Sequence, residues 1–274
     1  AVGALFTAVF YLSLSGGNVA TERAFIMVLV MLVAVLLDRR AFSLRAVAIA
    51  AILVLLRRPE TLLSPGFQMS FAATTALVAV FGWIRDNRVA LGPDWLRPVL
   101  TVLVSSAVAG LATSPFGAAH FNTLAQFGLL ANVLAVPIMG LIVVPSAVLT
   151  FLLAAVGLEA FGFWVMDLGL QWILAVSAWV SALPNAQSGV ATPESWVLPC
   201  LSLGGLFVVL WQGRLRWAGL SVIVVSLGFW TEVTRPKVLI SSNGGLVGVM
   251  MPEGRALSRD SSQSFTAKAW LAAD

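Results

Sequence analysis

Between Thr113 and Pro145 the chain reads T-S-P-F-G-A-A-H-F-N-T-L-A-Q-F-G-L-L-A-N-V-L-A-V-P-I-M-G-L-I-V-V-P. The stretch is apolar enough for a bilayer. Yet it carries the single histidine of the chain, His120, with Asn122, Gln126 and Asn132, and three prolines, Pro115, Pro137 and Pro145. Hydrocarbon tolerates such groups only where protein or a water-filled cavity satisfies them. The segment therefore reads as lining or framing a path through a membrane. The competing reading is that each polar side chain makes an interhelical hydrogen bond, worth about 0.6 kcal/mol on average. His120 and Asn122 fall at an expected membrane edge, where polarity is cheap. Asn132 lies deepest and is the residue most expected in a conduit or hinge.

Two other groups of residues stand out. In S-G-G-N-V-A-T-E-R, Gly16 and Gly17 break a helix, Thr21 offers an N-cap, and Glu22 suits the positive end of the next helix. Arg23 is then either a cation at a membrane mouth or a side chain that snorkels to the interface. In P-E-T-L-L-S-P-G-F-Q-M-S-F, Pro59 and Pro65 with Gly66 set a loop, and Gln68 and Ser70 open the following helix. Residues two apart do not share a helix face, so Gln68 and Ser70 read first as entry and capping residues.

Several chemistries lack their residues. One histidine cannot build a His-rich metal site, and no metal or cofactor is expected. No Gly-x-Ser-x-Gly turn and no phosphate-binding Gly-x-x-x-x-Gly-Lys-Ser/Thr loop occurs. Glu159 and Asp167 fall near a loop and a helix start rather than pairing inside a span. The expectation is a protein that is neither a self-powered pump nor an enzyme.

The elements that must position these residues are membrane helices. Hydrophobic residues form 59% of the 274 and charged residues 10%, against about 25% charged in soluble domains. The apolar runs are continuous, unlike the alternating strands of a membrane barrel. The expected fold is an all-α polytopic membrane protein of about eight to nine transmembrane helices, one broken by proline, with a short C-terminal β-rich tail. Expected spans are Val2–Leu14, Ala24–Leu37, Leu44–Leu56, Phe71–Ile84, Val99–Thr113, Leu124–Leu153, Phe163–Leu183, Val197–Trp211 and Leu215–Trp230. Pro137 and Pro145 should bend or divide the Leu124–Leu153 run. Tryptophans cluster near span ends, as in an interfacial aromatic belt. Residues 1–232 are expected to form the membrane domain and 233–274 a small extramembrane element. In the latter, Val238–Ser241, Leu246–Met250 and Ala256–Ser258 read as strands separated by Asn-Gly-Gly and Pro-Glu-Gly turns. The lone Cys200 excludes an intrachain disulfide. With no initiating methionine and no charged leader, the chain reads as a segment of a longer protein.

Arginine placement orients the chain. Arg39, Arg40 and Arg45 share one loop and Arg85, Arg88 and Arg97 another, two crossings on. Arg214 and Arg216 join that side if Leu124–Leu153 crosses once. The arginine-rich side should be cytoplasmic, which places the tail outside.

Three blocks carry a family resemblance. They are Arg23-Ala24-x-x-Met27 after a glycine turn, Pro59 to Phe71 ending in Gly66-Phe67-Gln68-Met69-Ser70-Phe71, and Thr113-x-Pro115, His120-Phe121, Gly128-Leu129-Leu130-Ala131-Asn132 with Pro137. With these, the chain resembles the competence domain of the ComEC family, inner-membrane channel proteins of DNA uptake. The resemblance extends to Trp211-x-Gly213-Arg214-Leu215-Arg216 and the tail with Trp270. It implies passage of single-stranded DNA into the cytoplasm during natural transformation. It also implies a multi-pass inner-membrane location, and partners that include a DNA receptor, a cytoplasmic motor and further copies of the chain. Family members often add an upstream OB-like domain and a nuclease domain with His-x-His-x-Asp-His, a motif this chain lacks. Residues near the path would be Arg23, Gln68, Ser70, His120, Asn122, Gln126 and Asn132. Gly16, Gly17, Pro59, Pro65, Pro115, Pro137 and Pro145 would break or hinge helices. The alternative class is a small-solute or lipid transporter with a broken-helix core.

Overall fold

The structure is a computed structural model that describes residues 2–251, 254–259 and 265–273. The elements run α1 (Val2–Leu14), α2 (Val19–Leu36), α3 (Leu44–Arg57), a 3-10 turn at Pro59–Leu63, α4 (Pro65–Asp86) and α5 (Arg97–Phe121). Then follow β1 (Thr123–Ala125), α6 (Gly128–Ile138), a π-helical turn at Met139–Val143, α7 (Val144–Ala154), α8 (Glu159–Ser181) and β2 (Gln187–Gly189). The chain ends with α9 (Val197–Leu210), α10 (Arg216–Thr231), β3 (Val238–Ile240), β4 (Val247–Met251), β5 (Gly254–Leu257) and α11 (Phe265–Ala273).

This is a helical membrane protein. Among the described residues, five helical segments are long and apolar enough to cross a bilayer: Val19–Leu36, Pro65–Asp86, Arg97–Phe121, Gly128–Ala154 and Glu159–Ser181. Only 6% to 17% of each of these apolar windows is buried by the protein itself. Water does not tolerate that much exposed hydrocarbon, so lipid or further protein must cover it. Val2–Leu14, Val197–Leu210 and Arg216–Thr231 are shorter apolar helices.

Capping explains where several helices depart from the expected spans. α2 starts at Val19, not Ala24, because Asn18 caps it. Its Oδ1 accepts from the Thr21 amide at 2.9 Å and the Thr21 hydroxyl at 3.1 Å. Thr21 thus donates to the cap instead of forming it. Gly16 and Gly17, at φ 70° and 63°, make the preceding turn in a region other residues avoid. α4 starts at Pro65, six residues ahead of Phe71. Ser64 Oγ accepts from the Phe67 amide at 3.3 Å, and Pro65 sits at the first helical position, where a missing N–H costs nothing.

α5 continues through Pro115 to Phe121, well past Thr113, so His120 lies in its last turn. Neighbouring groups in membrane helices re-satisfy the carbonyl a proline frees. The Gly128–Ala154 run is one helical path. Its π turn ends two residues before Pro145, and the wider hydrogen-bond ladder there makes room for the ring. Asp167 lies in the third turn of α8, not near its start.

The chain divides into two compact units. The first comprises Ala1–Val89, Leu111–Asn122 and Gly189–Asp274, the second Ala90–Gly110 and Thr123–Ser188. In the first, Ile26, Val47, Ala50, Val54, Phe67 and Phe71 bring α2, α3 and α4 together. A second cluster of Ala118, Val197, Leu201 and Trp230 joins the end of α5 to α9 and α10. α9 and α10 approach closely at two glycines: a Cβ on Gly219 would stand 2.6 Å from the Gly204 carbonyl oxygen. Small residues at such crossings replace the missing hydrophobic drive with tight packing. In the second unit, a Cβ on Gly162 would overlap the backbone of Thr150, and Trp172 Nε1 donates to the Leu134 carbonyl at 3.1 Å.

The tail forms an antiparallel three-stranded sheet, β3-β4-β5, in the register Val238 with Val249 and Val249 with Ala256. Asn243 shapes its first turn, its Oδ1 accepting from the Gly245 amide at 3.0 Å. The expected Pro252-Glu253 turn lies outside the described residues. Arg255 is buried and donates to the Pro236 carbonyl at 3.2 Å. α11 is an element that the strand pattern did not signal.

Candidate functional site

In the first unit, polar side chains converge on the first turn of α4. Gln68 Nε2 donates to the Leu62 carbonyl at 3.1 Å. That bond turns the amide oxygen outward, 2.7 Å from His120 Nε2 at the end of α5. An amide oxygen only accepts, so His120 Nε2 carries the proton and donates. Two residues upstream, Gly66 packs on Arg23 of α2. A Cβ on Gly66 would stand 3.0 Å from one terminal guanidinium nitrogen and 3.3 Å from the other. The absence of a side chain at Gly66 is what lets the guanidinium lie against the α4 backbone. Ser70 is half-buried on another face of the same helix.

The neighbouring charges divide unequally. Glu22 is only 8% exposed and pairs with Arg57 and, at 3.1 Å, with Arg58. This contact ties α2 to the end of α3. Arg23, the next residue, is half-buried and has no carboxylate within ion-pair distance among the described residues. Its position at the positive end of α4 is electrostatically unfavourable by itself. A visiting anion would relieve both at once. Bidentate guanidinium contacts suit phosphate oxygens in particular.

The structure sets Arg23 against Gly66 and His120 against Gln68, two contacts on different faces of the first turn of α4. It uses Asn122 and Gln126 differently. Asn122 adopts φ 56°, a conformation asparagine tolerates, and closes α5. Its Nδ2 donates to the Val190 carbonyl at 3.1 Å and to Thr192 Oγ1 at 2.6 Å. Gln126 belongs to the second unit, where its Nε2 donates to Ser188 Oγ at 2.5 Å. Asn132, also in the second unit, is exposed on α6 and has no hydrogen-bond partner among the described residues. Asp167 was missed as a candidate. It is an exposed carboxylate inside a membrane-length helix, accepting from Gln171 Nε2 at 2.7 Å. Its signal was present in the sequence as an acid flanked by apolar turns. Among the described residues no three His, Cys, Asp or Glu side chains gather as a metal site.

At the other end of α2 and α4 lies a different environment. Arg39, Arg40, Arg45, Arg85 and Arg216 line one cavity. Three loops far apart in sequence therefore meet at one end of the first unit. Gly66 and Arg85 are about 30 Å apart along α4, so the two environments occupy opposite ends of the same helices.

Comparison with known proteins gives three findings. Residues 1–215 match the family model described as "Competence protein". ComE operon protein 3 of Bacillus subtilis (strain 168) is 30% identical over 166 residues, 60% of this chain and 20% of that protein. The uncharacterized protein YcaI of Escherichia coli (strain K12) is 27% identical over 241 residues, 81% of this chain and 29% of that protein. The chain thus spans less than a third of the length of these curated relatives. No solved structure matches it.

Proposed function

The chain belongs to the competence protein family, and from that premise we propose that it forms part of an inner-membrane channel passing single-stranded DNA into the cytoplasm. The observation that carries this reading is Arg23, a half-buried guanidinium with no carboxylate partner among the described residues, held against Gly66 in the α4 turn that also carries the Gln68–His120 hydrogen bond on a different face. A DNA path needs cations that meet phosphate without trapping it. One arginine without a carboxylate partner among the described residues provides attraction with few competing contacts. In the second unit, taken by itself, the exposed amide of Asn132 would offer the strand a polar group in place of a charge. The strand is moved by partners: a receptor delivers DNA on the outer side and a cytoplasmic motor draws it in.

In this reading the chain crosses the membrane nine times. The arginine-lined end faces the cytoplasm, as positive residues favour. Residues 233–274 form an extramembrane element on the outer side, and further copies of the chain complete the conduit. The alternative is a small-solute or lipid transporter with a broken-helix core, which predicts a closed small-ligand pocket at the midplane and no dependence on a cytoplasmic motor.

The test is deletion of the gene in a naturally transformable host, with complementation by the full-length form. Labelled DNA should accumulate outside the inner membrane in the deletion strain and enter on complementation. Normal entry in the deletion strain, with no second copy present, would overturn the reading.

A further inference from the structure

The arginine-lined cavity has a chemistry that DNA passage does not require. Its volume is about 1640 Å³, larger than the roughly 300–1,000 Å³ of ordinary small-molecule pockets. Its walls come from α2, α3, α4 and α9 and include Val33, Ile49, Leu53, Val78 and Val208. From Arg45 to Leu53 the α3 wall descends about 12 Å into the membrane region. Ile49 and Leu53 on that wall are 51% and 41% exposed, so the wall is uncovered hydrocarbon.

The rim is cationic. Arg85 pairs with Asp86 at 3.0 Å. Arg39, Arg40, Arg45 and Arg216 have no carboxylate partner among the described residues. Asp38 and Asp86 are the acids of the lining, against five arginines. Phe42, Trp83 and Trp211 are exposed among the lining residues, like interfacial aromatics.

We propose that this cavity binds an anionic phospholipid, its headgroup phosphate on the arginine rim and an acyl chain along the α2 and α3 walls. Basic pockets between membrane helices on the cytoplasmic side hold such headgroups, and that leaflet is the anionic one. A nucleic acid would satisfy the rim but not the aliphatic wall below it. A neutral lipid would satisfy the wall but not the rim. The proposal rests on the membrane location of the first unit and on the cytoplasmic orientation of its arginine-lined end proposed above, not on DNA passage, so DNA passage can fail without it.

The test is native mass spectrometry of the full-length protein in detergent. The probes are phosphatidylglycerol, cardiolipin and phosphatidylcholine, each titrated separately. Anionic lipids should be retained more tightly than phosphatidylcholine. An Arg40→Gln/Arg45→Gln/Arg216→Gln variant should lose on the order of 100-fold in anionic-lipid affinity, at roughly fivefold per arginine near a membrane surface. Arg259→Gln, at an exposed arginine outside the cavity, should change nothing. Ile49→Trp, which fills the exposed wall without entering the core, should weaken both lipid classes with the melting temperature unchanged. Equal retention of anionic and neutral lipid would overturn the proposal. So would anionic retention that survives the triple substitution, or an arginine-dependent affinity for single-stranded oligonucleotide with no arginine-dependent lipid binding.

Discussion

The two ends of the first unit handle arginine in opposite ways. At one end Arg57 and Arg58 are drawn to the buried Glu22, and Arg23, set against Gly66, has no acid partner among the described residues. At the other end four of the arginines around an apolar cavity have no carboxylate partner among the described residues. A single cation without a carboxylate partner among the described residues attracts an anion and releases it. Several free cations above hydrocarbon retain one. In the two proposals, the same helices, α2 and α4, carry a weak site suited to passage and a strong site suited to residence. Local partners, not net charge, make the difference.

Substitutions at each end should separate the two. The largest effect is expected at the α9–α10 crossing. Gly219→Leu forces a side chain into the Gly204 backbone and should cost about 3 kcal/mol, read as a lower melting temperature of the full-length protein in detergent. Its damage should fall on the cavity end, which contains Val208 and Arg216. Next, Arg57→Ala/Arg58→Ala leaves Glu22 buried without partners. It should cost about 2 kcal/mol, below the roughly 3–5 kcal/mol of a fully buried pair, because both arginines are partly solvated. Anionic-lipid binding at the far end should survive it.

A smaller effect is expected for Gln68 and His120. A double-mutant cycle of Gln68→Leu and His120→Leu should show a coupling of about 0.6–1.7 kcal/mol; zero coupling would remove the hydrogen bond from the account. The smallest effect belongs to Asn132→Ala. With no partner among the described residues, it should change stability by less than about 0.5 kcal/mol. Any loss of DNA uptake there would then report on the path and not on folding.

Much of the helical fold is legible in the sequence because hydrocarbon demands long apolar runs. The errors concentrate at starts and stops. Asn18 outcompeted Thr21 as a cap, and Pro65 opened a helix where a loop was expected, because a proline at the first helical position loses no bond. Pro115 did not end α5, since its neighbours in a membrane helix can absorb the missing donor. The grouping of the candidate residues was less legible. Gln68 and His120 are 52 positions apart, and no local pattern encodes a contact at that distance. Glu22 looked like a capping charge, and only the return of α3 brings Arg57 and Arg58 to it. The shared side of the arginine loops, by contrast, followed from counting crossings, and the cavity unites three of those loops.

The central claim is that Arg23 meets DNA phosphate during entry. Its most direct test is uptake of labelled DNA into the cytoplasm of a deletion strain that carries the full-length gene with Arg23→Glu or Arg23→Lys, at matched protein levels. A charge-assisted hydrogen bond contributes about 1.5–3 kcal/mol, so Arg23→Glu should lower uptake at least about tenfold, while Arg23→Lys keeps most of it. Wild-type uptake by the Arg23→Glu strain would contradict the account.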